Sequence, residues 1–412
     1  MLARATNWKR VPIKSVYIGL YDGPHATPKP SEEGPVFLGI KNITDDGRLN
    51  FSDIRHISEA EFPKWTKRVL PQEGDIVFTY EATLNRYSII PKGFRGCLGR
   101  RMALIRPNPE KVDTRFLFHY FFGADWRHTI SKNILSGSTV DRIPLTKFPE
   151  FEINLPPLET QRKIANILSA YEDLIANNTR RIKILEEMAQ AIYREWFVNF
   201  RFPGHESTKM VNSSLGKIPA GWEIKTINDV VSIKSGFAFK SKTFVENGDF
   251  GLVTIKNVQD GNFITECNSR ISDLPQKLPD YCYLKTGDVL LSLTGNIGRV
   301  CLVYGEDYLL NQRVAKLVPH DQANRSLGYL IFKNEEMRTK LENLSTGVAQ
   351  QNLSPVQTGK VELPIPNKVL LAAFSKNVEP IFDLMRVLFM KNKNLRQTRD
   401  LLLPKLISGE LS

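Results

Sequence analysis

Short loops in this 412-residue chain mix arginine with amides and hydroxyls, the groups that exchange hydrogen bonds with base edges and phosphates. Tyr80, Thr83, Asn85 and Arg86 follow one apolar run, Arg100 and Arg101 stand before the next, and Ser138, Thr139 and Arg142 form a third group. Later in the chain Thr294, Asn296 and Arg299 occupy the first kind of position, Asn311, Gln312 and Arg313 the second, and Gln350, Gln351 and Asn352 the third. Such sets can read duplex DNA. Bond-making chemistry has no comparable signature: there is no G-x-x-x-x-G-K-[ST] phosphate loop, no G-x-G-x-x-G turn, no H-E-x-x-H and no Asn-Pro-Pro-aromatic tetrad. Glu223-Ile224-Lys225 is the nearest approach to a nuclease carboxylate and lysine, and it lacks an upstream Asp in a matching strand. The six His residues are scattered, without ligand spacing. The expectation is a non-catalytic chain with no cofactor and no metal of its own.

The loops come in corresponding sets because the chain contains itself twice. Gly74-Asp75-Ile76-Val77 recurs as Gly287-Asp288-Val289-Leu290, Ile40-Lys41-Asn42-Ile43 as Ile255-Lys256-Asn257-Val258, and Trp8 as Trp222. Glu152-Ile153-Asn154-Leu155-Pro156 returns as Glu362-Leu363-Pro364-Ile365-Pro366, so only small insertions separate copies roughly 210 residues apart. Within each copy, short apolar runs alternate with Gly, Pro, Asn and Asp, which are strand and turn signals. The glycine pairs of Gly93-Phe94-Arg95-Gly96 and Gly295-Asn296-Ile297-Gly298 read as loop hinges. A helical stretch from Thr114 to Ile130 places Phe118, Phe121, Phe122 and Trp126 near helical spacing, as core rather than as a stacking platform for bases.

After each copy the texture changes. From Leu158 to Phe200 there is no Gly or Pro, and Ile164, Leu168, Tyr171, Ile175, Asn178, Ile182, Leu185, Ala189, Ile192 and Trp196 step by four and three. The second copy repeats the plan with Phe374, Val378, Ile381, Met385, Leu388, Asn392, Leu395, Arg399, Leu402 and Leu406. Two such heptad seams predict long helices that pack on each other, antiparallel if one leaves a domain and the other returns. Asn178 and Asn392 then either set the register as buried polar seam residues or face water. Pro380 and Pro404 predict kinks or breaks in the second helix. The expected boundaries are 1–156 for the first domain, 157–203 for the first helix, 204–220 for a linker, 221–366 for the second domain and 367–412 for the second helix.

A net charge of +12 attracts polyanions, and the length suits two or three domains. Cys97, Cys267, Cys282 and Cys301 have no C-x-x-C spacing, which predicts reduced structural thiols. No apolar stretch approaches a membrane span and none opens the chain as a signal, so a cytoplasmic address is expected.

Leu155-Pro156-Pro157-Leu158-Glu159-Thr160-Gln161, Leu215-Gly216-Lys217-Ile218-Pro219-Ala220-Gly221-Trp222 and Leu401-Leu402-Leu403-Pro404-Lys405-Leu406-Ile407-Ser408-Gly409-Glu410-Leu411 together resemble the specificity subunits of type I restriction-modification enzymes. Pro366-Asn367-Lys368 departs from that family's proline-leucine-glutamine form and leaves the start of the second helix open. The resemblance implies two mixed α/β target-recognition domains related by a pseudo-two-fold repeat and separated by an antiparallel coiled coil. Each domain would read one half of a bipartite, asymmetric DNA site, with the helices setting the spacing. Two modification subunits would methylate adenine with S-adenosylmethionine, and restriction subunits would cut with ATP and Mg2+, as host defence. The alternatives are a self-sufficient methyltransferase or nuclease of unrecognised type and a coiled-coil nucleic-acid-binding adaptor.

Overall fold

Alternating apolar residues and glycine turns build one set of small sheets twice. The structure, a computed structural model, describes residues 8–136, 140–321, 324–345 and 352–411. In the first copy Tyr17–Asp22, Met102–Pro107, Ile76–Thr79 and Tyr87–Ile89 lie side by side in that order, all antiparallel. In the second, Val231–Ser235, Val314–Pro319, Val289–Ser292 and Val300–Leu302 repeat the order and the directions. A second sheet sets Ser31–Leu38 parallel to Gly96–Leu98, and its counterpart sets Phe250–Val253 parallel to Tyr308–Leu310. Each copy is closed by pairing its first strand with its last, Lys9–Pro12 with Glu152–Leu155 and Glu223–Thr226 with Glu362–Ile365. Glu223 and Lys225 are thus neighbours on a closing strand, 3.1 Å apart as an ion pair.

The repeated motifs have structural causes. Gly74 and Gly287 take φ of 87° and 94°, the left-handed region that favours glycine, and so turn the chain into the central strand. The aspartate that follows is a clamp. Asp75 accepts from the Gln72 amide at 2.8 Å and from Arg106 through two nitrogens at 2.8 and 2.9 Å, while Asp288 accepts from the Lys285 amide and from Lys316, both at 2.7 Å. Asn42 and Asn257 are likewise buried and tie a turn to itself: Asn42 donates to the Asn50 and Asp53 carbonyls, and Asn257 to those of Ile264 and Glu266. Phe118 on the helix Thr114–Tyr120, Phe121 just beyond it and Trp126 on the helix Ala124–Asn133 are buried and Phe122 is half-buried, in agreement with a core role.

The two long helices are Leu158–Tyr193, extended by a π-turn over Arg194–Val198, and Lys368–Ser408. The chain falls into two compact units, Met1–Leu174 with Leu395–Ser412, and Ile175–Asn394. In the first unit Ile164, Leu168, Leu406 and Ile407 join the core of Phe116, Trp126 and Phe148. In the second, Ile182, Ala189 and Trp196 join Phe374, Val378, Met385 and Leu388. The Trp196 and Phe374 rings lie 5.6 Å apart and Asn178 bonds Asn392, so the numbering runs in opposite directions and the helices pack antiparallel. Tyr171, Leu185, Ile192, Ile381, Leu395 and Leu402 are half-buried along the same stripes.

Both asparagines are seam residues rather than solvent-facing ones. Asn178 is 7% exposed and Asn392 2%. The Asn178 amide donates to Asn392 Oδ1 at 2.9 Å, and Asn392 Nδ2 donates to Thr179 Oγ1 at 3.2 Å and the Ile175 carbonyl at 3.4 Å.

The expected breaks at Pro380 and Pro404 do not occur, since Lys368–Ser408 is one continuous helix. A proline removes one backbone donor, a penalty that burial of Val378 and Phe382 on either side of Pro380, and of Leu406 and Ile407 beyond Pro404, outweighs. The segment 204–220, expected as a linker, carries a hairpin of Met210–Ser213 with Gly216–Pro219.

The start of each helix is tied to its domain differently. Gln161, 1% exposed, accepts from the Asp113 amide at 2.9 Å and donates to the Pro156 carbonyl at 2.8 Å. The second helix lacks this glutamine. Asn367 caps it by accepting from the Leu370 amide at 3.0 Å, and Glu379, farther along, accepts from the Ser326 amide at 3.2 Å.

Candidate nucleic-acid interface

The backbone brings the separate loops of each copy together. In the first, the Tyr80 amide donates to the Arg101 carbonyl (3.2 Å), the Ile143 amide to the Tyr80 carbonyl (2.7 Å) and the Ala82 amide to the Asp141 carbonyl (3.0 Å). The backbones of Glu81 and Arg142 form an isolated antiparallel β-bridge. In the second, the Leu293 amide donates to Arg313 (2.9 Å), the Leu353 amide to Leu293 (2.8 Å), and Thr294 bridges Asn352. Arg101 and Arg313 take left-handed φ of 74° and 72°, a costly conformation for a side-chain-bearing residue that recurs at the same point of both copies. Three stretches far apart in sequence therefore form one loop cluster per domain.

Within the clusters the side chains differ in availability. Tyr80 and Thr294, 6% and 7% exposed, lie inside and hold the base of the cluster. Thr83 and Asn85 are half-buried, the latter with φ of 61°, while Arg100, Arg142, Asn296, Gln312, Arg313 and Asn352 are exposed and Asn311 half-buried. Arg101 is held at 3.2 Å by Glu81, and Arg86 at 2.6 Å by Asp45. Arg299 donates to Gln259 and faces Asn296. Ser138, Thr139, Gln350 and Gln351 lie outside the described residues.

Asp45, Gln259, Asp260 and Arg338 belong to this neighbourhood and were missed in the sequence. The available signal was positional, since Asp45 and Asp260 each lie three residues beyond the repeated Asn42 and Asn257. In the second domain Gln259, Asp260, Asn296, Arg299, Arg338 and Glu342 line a cleft of about 500 Å³.

A second polar cluster lies where the helices meet the first domain, within one unit. His119 is buried, which pushes its imidazole down to about 3, with Arg399 and Arg115 adding to the effect. Its Nδ1 lies 3.8 Å from Glu172, whose carboxyl burial pushes up to about 7 against the pull of Arg399. Among the described residues no group of His, Cys, Asp and Glu is arranged to hold a metal ion, and no helix is long and apolar enough to cross a membrane.

Residues 32–187 and 219–370 each match the type I restriction modification DNA specificity domain. The chain belongs to the type I restriction-modification DNA specificity family. Members of this family are recognition subunits, not the catalytic ones, and the chain carries the domain twice. It is 25% identical over 361 residues to the type I restriction enzyme MjaVIII specificity subunit of Methanocaldococcus jannaschii, covering 85% of this chain and 83% of the relative. It is 23% identical over 437 residues to the HindI specificity subunit of Haemophilus influenzae, covering 91% and 94%. The crystal structure of a type I restriction-modification S subunit from M. genitalium superposes with a TM-score of 0.55 at 16% identity over 98% of this chain and 97% of that one, a likeness of fold. The loop clusters thus sit on duplicated specificity domains, one cluster in each.

Proposed function

We propose that this specificity subunit reads a bipartite, asymmetric DNA site, one half with each domain, and that its helix pair sets the spacing and docks the modification subunits. The observation that carries the reading is the pair of loop clusters. One backbone scheme is used twice with different side chains, which is the arrangement that two different half-sites need. The net charge of +12 favours a polyanion. A 36-residue helix at about 1.5 Å per residue is roughly 54 Å long, ample to serve as a ruler beside a DNA turn of about 34 Å.

In this reading the chain supplies address and scaffold. Two modification subunits bring S-adenosylmethionine and methylate adenine, and restriction subunits bring ATP and Mg2+, while this chain binds no cofactor. A cytoplasmic address fits the free thiols, of which Cys97, Cys282 and Cys301 are buried.

The test is methylome sequencing of cells carrying the chain with its modification subunit, alongside a hybrid in which residues 1–156 come from a related subunit. The expected result is one bipartite site, of which the hybrid changes a single half. A folded hybrid that recognises neither parental half, or methyl transfer by the purified chain alone, would overturn the proposal.

A further inference from the structure

The two domains place an arginine at the same point of the fold and use it differently. Arg86 and Arg299 both close the loop that follows the central strand, and each reaches back to the turn after the repeated asparagine. In the first domain Arg86 Nε donates to Asp45 at 2.6 Å and another guanidinium nitrogen donates to the Ile43 carbonyl at 3.3 Å. The carboxylate therefore occupies the Nε side of the guanidinium and offsets its charge.

In the second domain the corresponding carboxylate is not available. Asp260 is engaged by Lys333 at 3.0 Å and by Arg338 at 2.8 Å, so Arg299 turns to neutral amides instead. One terminal nitrogen donates to Gln259 Oε1. With the Asn296 amide oxygen facing the guanidinium, both terminal nitrogens donate to it, at 3.0 and 3.2 Å. A guanidinium has five N–H donors in a fixed plane. These contacts use both hydrogens of one terminal nitrogen and one of the other, leaving the Nε hydrogen and the remaining terminal hydrogen. The two point the same way, in the spacing that matches the O6 and N7 acceptors of guanine.

Resting on the DNA-reading function above, we infer that Arg299 is the guanine reader of the second half-site, with Gln259 and Asn296 as positioning residues. The cleft around it favours a base edge over a phosphate. Asp260 and Glu342 share its lining with Arg338, so the carboxylates balance the arginines and leave no excess positive charge there to draw a phosphodiester, while the neutral edge of a base pair can still be bonded.

The experiment compares methylomes of the native complex with those of complexes carrying Arg299→Gln, Arg299→Lys and Gln259→Leu, with salt-dependent binding of the cognate duplex measured for each. The native methylome fixes the two half-sites, and absence of any bipartite site there would refute the DNA-reading function itself rather than this assignment. Both Arg299 variants should relax one guanine of the second half-site, with discrimination falling roughly 5- to 150-fold, and leave the first half intact. Lysine keeps the charge but lacks the planar fork that fixes two parallel donors, and its shorter reach loses the Gln259 and Asn296 contacts that aim the group, so it should relax the same position. Gln259→Leu should relax that position more weakly, which loss of stability alone would not do. Retention of every guanine by Arg299→Lys, or an even weakening over all sequences with a flatter salt slope, would overturn the assignment, the second result marking a phosphate contact. If Arg299→Gln abolishes methylation altogether, the lysine variant decides.

Discussion

Replacing Asn392 by leucine tests whether the helix seam is specified by its polar pair. Three hydrogen bonds end on this side chain, from Asn178 and to Thr179 and Ile175. Thr179 Oγ1 keeps its own bond to the Ile175 carbonyl at 2.7 Å, so the group left stranded is the Asn178 amide, 7% exposed. A buried donor without a partner costs about 1–3 kcal/mol, which the added apolar contact offsets only in part. The single variants Asn392→Leu and Asn178→Leu should therefore each lose about 1–2 kcal/mol. Replacing both removes the stranded groups together, and the double variant should return to the parent's stability or exceed it, a coupling on the order of 2 kcal/mol. A chain of two units does not unfold in one step, so the measurement is hydrogen exchange of the helix amides around residue 178 in all four corners of the cycle. Additive losses, with the double variant as weak as the two singles summed, would refute the reasoning.

Glu172→Gln should remove a pH dependence from the first unit. Its folded carboxyl titrates near 7, above the ordinary 4.5, so the neutral form contributes stability that is full below 4.5 and lost as the pH rises through 7. With its side chain 35% exposed, solvent screening leaves on the order of 1 kcal/mol. Arg399, Arg115, Asp173, Asp46 and neutral His119 are the groups that face it, and identical melting profiles of parent and variant across this window would count against the assignment. Inserting a heptad near Asn178 and another near Leu388 adds about 10 Å of helix with the seam off phase by about 20°. Methylation mapping should then show unchanged half-sites with roughly three more base pairs between them at about 3.4 Å each; an active variant with the original spacing would show that the helices are not the ruler.

What could be read in the sequence depended on whether the cause was local. The duplication, the strand texture and both heptad seams were legible because each is a pattern along the chain. Gly-Asp and Ile-Lys-Asn were visible as repeats, yet their meaning was not, because Asp75 acts on Arg106 and Asn42 on Asn50 and Asp53, across strands and turns. The prolines misled for the reason opposite to pattern: local propensity ends a helix at Pro380, and packing on both sides carries it through. The candidate site shows the same division at finer grain. Composition placed Arg86 and Arg299 in equivalent loops and gave them one role. The structure separates them by their partners, a free aspartate for one and amides for the other, because Lys333 and Arg338 on distant helical segments have already claimed Asp260. An arginine that looks the same in two copies of a sequence can thus be neutralised by a carboxylate in one and held by amides in the other, and under the proposed DNA-reading function that difference would let one scaffold address two unlike half-sites.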